Sequence, residues 1–235
     1  MAIGSAAQAS NTYSVSFGYS TTSSGYASNA FGYATTANGD HSTTMGNFVS
    51  TSGYNGAFAI GDNSTTTVMQ SFVDNGFRAR FAGGYRLLTN SAANIGVVLL
   101  ASGNSWSAIS DVRMKENFIP VDGEYILGKI ATMPLTTWNY IGQDVKTLRH
   151  YGPMAQDFYK AFGHDKLGDI GCDTLINQQD FLGVNLVAIQ ALEKRTALLQ
   201  EDNAELKKQN EKLAMVIEKM QLQINQIVDS KDKKL

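Results

Sequence analysis

The amino-acid sequence predicts a mixed fold in two physically different parts: a repetitive β-solenoid with a β neck, then a small α+β unit that runs into a long coiled coil. Three observations predict it. Glycine returns every seven residues from Gly4 to Gly53. Of the 21 acidic and 19 basic residues, only three of each lie before Ser110, namely Asp40, Asp62, Asp74, Arg78, Arg80 and Arg86. From Ile189 to Ile227, a mostly apolar set of residues alternates at spacings of three and four.

The glycine beat comes first. Gly4, Gly18, Gly25, Gly32, Gly39, Gly46 and Gly53 keep it, and only Asn11 misses. The preceding residue alternates between large apolar (Ile3, Phe17, Phe31, Met45) and small polar (Ser24, Asn38, Ser52), so the unit is fourteen residues with two half-turns. After Gly53 the phase slips by one, to Ile60-Gly61. A flexible Gly/Ser linker keeps no such phase; a short period punctuated by glycine is the signature of stacked β coils. One Ile, Phe or Met per coil is expected to stack in an inner column, with Ser and Thr filling strands and turns. Glycine supplies the special backbone angles at the corners. So thin a core also calls for several chains packing their columns together.

This pattern, with its "FG" and "SG" half-steps, resembles the head repeats of the trimeric YadA-like adhesins over residues 1–66. The resemblance implies a left-handed parallel β-roll with three chains about an axis. Tyr19, Tyr26, Tyr33 and Tyr54 each follow a repeat glycine. They are either structural ladders or a surface for a host receptor or glycan, since aromatics are enriched at binding faces too.

Residues 67–109 read as a β-rich neck. Asn75-Gly76 between alternating apolar residues is a hairpin signal, and "NIGVVLLASGNSW" reads as one buried strand. Residues 110–185 segment as a small α+β unit. Asp122 to Ile130 predicts a short helix with Asp122 as N-cap. Pro134 to Tyr140 and Thr147 to Tyr151 predict short strands. Pro153 to Phe162 predicts a helix with proline at N1 and Gly163 past its end, and Asp180 opens the last helix.

Residues 186–235 are the coiled coil and a charged tail, "DSKDKKL". With Ile189 at position a, the seam is Ile189, Leu192, Thr196, Leu199, Asn203, Leu206, Asn210, Leu213, Ile217, Met220, Ile224 and Ile227, an unbroken heptad pattern. In parallel strands Asp202 at g faces Lys207 at e of a neighbour. Asn203 and Asn210 at a positions cost stability and fix register. Polar a positions favour dimers, whereas Ala214 and Val216 at e and g widen the seam toward three strands. The charged b, c and f positions argue against a single helix folded back on its own domain.

Composition excludes several classes. A net charge of −2 gives no electrostatic footprint for nucleic acid. No run of eighteen apolar residues spans a membrane, and the start lacks a signal peptide's basic region and apolar core. The lone Cys172 excludes an internal disulfide framework and a CxxC knuckle. His41, His150 and His164 are too scattered to share a metal. No cofactor or metal is expected.

The charge boundary itself reads "AISDVRMKEN". Ser-Asp before a charged segment is a common helix or turn start. Residues five apart point about 140° from one another on a helix and to opposite faces of a strand, so only a turn brings Ser110 Oγ to Lys115 Nζ. Chemistry between them requires a neutral lysine, produced by desolvation or a nearby cation. Ser–Lys pairs work in this way on other folds.

"SDVRMKENF", "LRHYGPMAQDFY" and "DFLGVNLVAIQAL", in that order and running into a coiled coil, resemble the C-terminal intramolecular chaperone of phage tailspikes and fibres, the peptidase S74 family. That resemblance covers residues 110–227. It implies a domain that assists trimerisation and folding of the β-structure before it and then cuts itself off. The implied scissile bond is Ile109–Ser110, with Ser110 as nucleophile and Lys115 as base. Asp111 and Arg113 fit the motif in shaping or salt-bridge roles; His150, Gly152, Gln156 and Asp157 match a structural or subunit-contact block. The implied partners are two further copies of the chain, and a host receptor or glycan at the head. The implied location is the virion, after assembly in the bacterial cytoplasm. Two other readings stay open: a bacterial surface adhesin whose coiled coil is a stalk, and a chaperone that trimerises without cleaving.

Overall fold

The computed structural model describes residues 1–232, with side chains described through Ile227; the tail "DSKDKKL" lies outside the described side chains. The chain divides into two compact units, Met1–Glu116 and Asn117–Leu235.

The first unit opens with a parallel β-solenoid. Its strands are β1 (Ala2–Ile3), β2 (Gln8–Ala9), β3 (Val15–Tyr19), β4 (Thr22–Ser23), β5 (Asn29–Ala37), β6 (Thr43–Ser50), β7 (Phe58–Gly61), β8 (Met69–Gln70) and β9 (Phe77–Arg80). All pairings among them are parallel, and the main path runs β1-β3-β5-β6-β7-β9. Register follows the sequence beat: Phe17 pairs with Phe31, Phe31 with Met45 and Met45 with Ile60. The one-residue slip after Gly53 is absorbed by a fifteen-residue coil, which keeps Gly46 opposite Gly61.

Burial overturns the expected inner column. Strand alternation turns Ser16, Ala30, Thr44 and Ala59 inward, each 0% exposed, while Phe17 is 52% exposed and Met45 40%. The coils are too narrow for aromatic side chains, so their interior holds Ser, Thr, Ala and Val49, with Met69 packing onto Val49 and Ala59 at the last coil. The column Ile3–Phe17–Phe31–Met45–Ile60 therefore runs on the outer surface. Serine and threonine hydroxyls bond across the gap, as Ser16 Oγ does to Thr21 Oγ1 at 2.7 Å and Ser23 Oγ with Ser28 Oγ at 2.7 Å.

The glycines stack where coils touch. A Cβ on Gly18 would stand 1.9 Å from the Gly32 carbonyl oxygen, and one on Gly32 2.0 Å from that of Gly46. Left-handed residues turn the chain at both corners: Ser20, Ala34 and Phe48 (φ 49–51°) just after these glycines, and Tyr13, Ala27, His41, Gly56 and Asn75 (φ 50–63°) at the other. Next to it, carboxylate and amide side chains cap the preceding coil. Asp40 accepts from the Tyr26 N–H, Asn55 from Asp40 and Asp74 from Asn55, each at 2.7–2.8 Å. Asn75-Gly76 is thus a further solenoid corner and not a hairpin. Left-handed Asn followed by Gly serves either geometry, and β9 leaves this corner to pair parallel with β7.

In β9 the inward positions pass to arginine, which closes the stack. Arg78 donates to the Gln70 carbonyl, and Arg80 to those of Thr67, Asn47 and Asp62. Asp62 binds Arg80 at 3.3 Å. The Ala82 N–H, at 2.6 Å, and the Ser64 hydroxyl also donate to it. Led by the Ala82 N–H, these donors pull the Asp62 carboxyl down to about 2.

The neck is an antiparallel sheet of β10 (Gly84–Leu88), β11 (Gly96–Leu100) and β12 (Ser107–Ala108). The strand expected to be buried is β11. It is only half-buried, and Leu100 is exposed, because a three-stranded sheet in one chain has nothing covering its faces.

The second unit joins α1 (Gly123–Thr132), the antiparallel pair β13 (Thr136–Trp138) and β14 (His150–Gly152), α2 (Ala155–Phe162) and α3 (Gln178–Asp232). Asp122 caps α1 as expected, accepting from the Glu124 and Tyr125 N–H groups. Pro153 is not at N1 of α2: the chain stays extended through Met154, which is the N-cap. Asn177 Oδ1 accepts from the Gln179 N–H at 2.8 Å, so α3 starts two residues before Asp180. Ile126, Phe158, Phe162 and Ala188 form the core between the three helices. An exposed Arg195–Glu124 pair tethers α3 to α1. Beyond this core α3 carries its seam in the open, with Ile189 61% and Ile217 64% exposed.

Candidate active site

The neck sheet delivers the chain to the charge boundary. Strand β12 pairs on β11, and the next N–H, that of Ile109, donates to the Gly96 carbonyl at 3.2 Å. Gly96 has no room for a side chain, since a Cβ would lie 2.0 Å from the Leu87 carbonyl oxygen. Ile109 is accordingly held as an extension of the sheet.

A 3₁₀ turn over Val112–Met114 follows at once. Asp111 is its N-cap, with Oδ1 accepting the Arg113 N–H at 2.9 Å. The turn closes through Met114 N–H to Asp111 O at 3.0 Å and Lys115 N–H to Val112 O at 3.1 Å. Its result is contact between side chains five residues apart: Lys115 Nζ donates to Ser110 Oγ at 2.6 Å. Both residues are exposed in the single chain. The Arg113 guanidinium forks onto the Asp111 carboxylate, Nε at 3.0 and 3.1 Å from its two oxygens. That guanidinium first, and the Arg113 N–H second, hold the Asp111 carboxyl below the usual range.

The other residues singled out in the sequence lie in the second unit. His150 and Gly152 are on β14; Gln156 and Asp157 are in the first turn of α2. His150 stacks on Trp138 with ring centroids 4.6 Å apart, a partner the sequence reading missed. Only the pairing of β13 with β14 brings the two rings together. Neither Trp138 Nε1 nor His150 Nε2, both buried, has a hydrogen-bond partner. Asp202, Asn203, Lys207 and Asn210 lie along α3, where Asn203 Nδ2 bonds back to the Leu199 carbonyl at 2.8 Å.

Three of the four tyrosines that follow repeat glycines, Tyr19, Tyr26 and Tyr33, fall into two outer columns. Tyr19 and Tyr33 stack at 5.1 Å, and Tyr33 meets Phe48 edge-on. Tyr13, Tyr26 and His41 form the second, at 5.6 and 5.4 Å. Among the described residues no cluster of His, Cys, Asp or Glu is set to hold a metal ion. Among them, too, no helix is long and apolar enough to cross a membrane.

Fold and site together define a class: a glycine-laddered β-solenoid followed in the same chain by an α+β unit with a long helix, a Ser–Lys pair standing at the junction in sequence. Comparison with known families agrees on both parts. Residues 110–165 match the Peptidase_S74 family, described as chaperone of endosialidase, and the match begins at Ser110 itself. Residues 1–21 and 23–48 match two copies of the YadA head domain repeat. Both families that the sequence resembles are thus found, in the expected order. No curated protein matches the chain.

Proposed function

We propose that this chain is a phage tail-fibre or spike protein. Its second unit gathers three copies and assists folding of the solenoid, and the chain is then cut between Ile109 and Ser110. The observation that carries this reading is the 2.6 Å Lys115 Nζ–Ser110 Oγ contact at the first residue of the matched chaperone region. The exposed apolar column of the solenoid and the exposed seam of α3 support the assembly step, because each needs other copies to cover it.

The chemistry follows from connectivity. Ser110 Oγ reaches its own preceding carbonyl through a five-membered ring, so nucleophile and substrate are already in place. Oγ bonds to the Ile109 carbonyl carbon as its proton passes to neutral Lys115 Nζ. The Ile109–Ser110 C–N bond then breaks, and Nζ returns the proton to the departing amine. Water hydrolyses the resulting ester, leaving an Ile109 carboxylate and a free Ser110 amine and hydroxyl. Lysine is neutral at working pH only when desolvated or beside another cation. Neighbouring copies closing over the exposed pair would supply that environment, which makes cleavage conditional on assembly. Removing the aligning helix leaves a mature β-structure whose lifetime is set by its unfolding barrier.

The YadA match favours one other reading, an adhesin-like surface trimer that stays intact. A denaturing gel of boiled full-length protein, with mass measurement of the fragments, separates the two. Two fragments meeting at Ile109/Ser110, lost in Ser110→Ala and Lys115→Ala, are expected. One full-length band from the wild-type chain sinks the cleavage reading.

A further inference from the structure

The Ser110–Lys115 contact depends on a very short element, and one side chain holds that element in shape. A 3₁₀ turn of three residues has weak hydrogen-bond geometry and no cooperativity of its own. Packing does not rescue it, for none of Val112, Arg113 and Met114 is buried. What remains is the cap: Asp111 Oδ1 takes the Arg113 N–H, a donor with no partner inside the turn. Once the turn is closed, Lys115 N–H bonds to Val112 O, and this sets the direction in which the lysine side chain leaves.

We infer that Asp111 is the positioning residue of the Ser110–Lys115 pair, and that it acts through its cap on the Arg113 N–H rather than through its ion pair with the Arg113 side chain. The inference rests on the proposed self-cleavage. The ion pair is the obvious alternative role, but it is solvent-facing: the Arg113 side chain is 84% exposed and that of Asp111 only 28%. Exposed pairs two residues apart restrain little. An N-cap acceptor, by contrast, is specific for an oxygen at that place and indifferent to its charge, so Asn serves nearly as well as Asp and Ala does not.

The substitution series separates the two roles. Full-length chains are made by cell-free translation, so that uncut precursor exists at the start, and the fraction cut is followed in time on denaturing gels. Asp111→Ala is expected to slow cutting about tenfold, the scale of a lost cap. Asp111→Asn keeps the acceptor and loses the charge; it and Arg113→Ala should stay within about threefold of wild type. Unboiled samples show whether each variant assembles. Rescue by Asn in variants that all assemble is an outcome that general misfolding does not produce. Asp111→Asn as slow as Asp111→Ala, together with a slow Arg113→Ala, overturns the cap in favour of the ion pair. Wild-type cutting by Asp111→Ala overturns positioning altogether while leaving self-cleavage standing. A wild-type chain that is never cut overturns the self-cleavage reading and this inference with it.

Discussion

The solenoid and α3 each leave an apolar stripe in solvent when the chain stands alone, yet they are held together by opposite means. Every turn of α3 is closed by hydrogen bonds four residues apart. The solenoid has no such local closure: Phe17 pairs with Phe31, Met45 with Ile60 and Ile60 with Ala79, so each coil needs its neighbour in place first. Local contacts form quickly and distant ones slowly. The difference gives a physical reason for the chain to carry both. On the assembly proposed above, the helix would order early and bring copies together, and the coils, slow and exposed to mispairing, would follow within a concentrated and aligned assembly.

The comparison breaks most sharply on a single type of substitution. Gly32→Ala places a methyl 2.0 Å from the Gly46 carbonyl oxygen, at a φ of +121° that L residues rarely adopt. The expected cost is on the order of 3 kcal/mol or more. Gly183→Ala in α3 meets nothing within 4 Å and should stabilise the helix by about 0.5–1 kcal/mol. Circular dichroism melts, read separately at strand and helix wavelengths, check the opposite signs. Equal effects would show that glycine is only a spacer in the solenoid.

A smaller effect tests whether the helix supplies alignment or mere attraction. Replacing Asn203 and Asn210 together by Ile makes the seam uniformly apolar and should raise the helical melting temperature, while register and strand number become ambiguous. Folded solenoid, measured as protease-resistant β-rich product, should fall although the helix is stronger. If solenoid yield rises with helix stability, the asparagines do not set register.

Much of this was legible in the sequence, for identifiable reasons. The glycine beat shows directly because close approach of coils admits no Cβ, and the heptads show because a helix has one fixed period. A spacing of five between Ser110 and Lys115 ruled out helix and strand and left a turn, which the structure supplies as a capped 3₁₀ element. What stayed hidden depended on dimensions instead of pattern. Alternation distinguishes Ser16 from Phe17 but does not say which points inward. Only the width of a coil decides that the small polar residue goes in. Asn75-Gly76 was misread for a related reason, its left-handed preference being common to hairpins and solenoid corners. The stacking of His150 on Trp138 needed a strand pairing across a long loop, on which local spacing is silent.

The smallest effect concerns the polar filling of the coils, where a fault in the repeat left an unmatched group. Ser16 and Thr21 bond to each other across one coil. In the next coil Ala30 takes the place of Ser16. Thr22 pairs with Thr36, which puts Thr35 in the place of Thr21, and the Thr35 hydroxyl has no partner. One coil further, Thr44 follows Ala30 while Val49 follows Thr35, and now the Thr44 hydroxyl is the orphan. A buried hydroxyl without a partner costs roughly 1–3 kcal/mol, and valine has the same shape with a methyl in its place. Thr44→Val should therefore stabilise the solenoid by about 1 kcal/mol, seen as a higher denaturant midpoint with unchanged slope. Thr21→Val should do the reverse by a smaller amount, since it takes away the hydroxyl partner of Ser16 but leaves Ser16 Oγ donating to the Thr21 carbonyl at 2.9 Å. Destabilisation by both would mean that these interiors need hydroxyls at every level, and that the pairing of Ser16 with Thr21 is not what separates a satisfied coil from a faulted one.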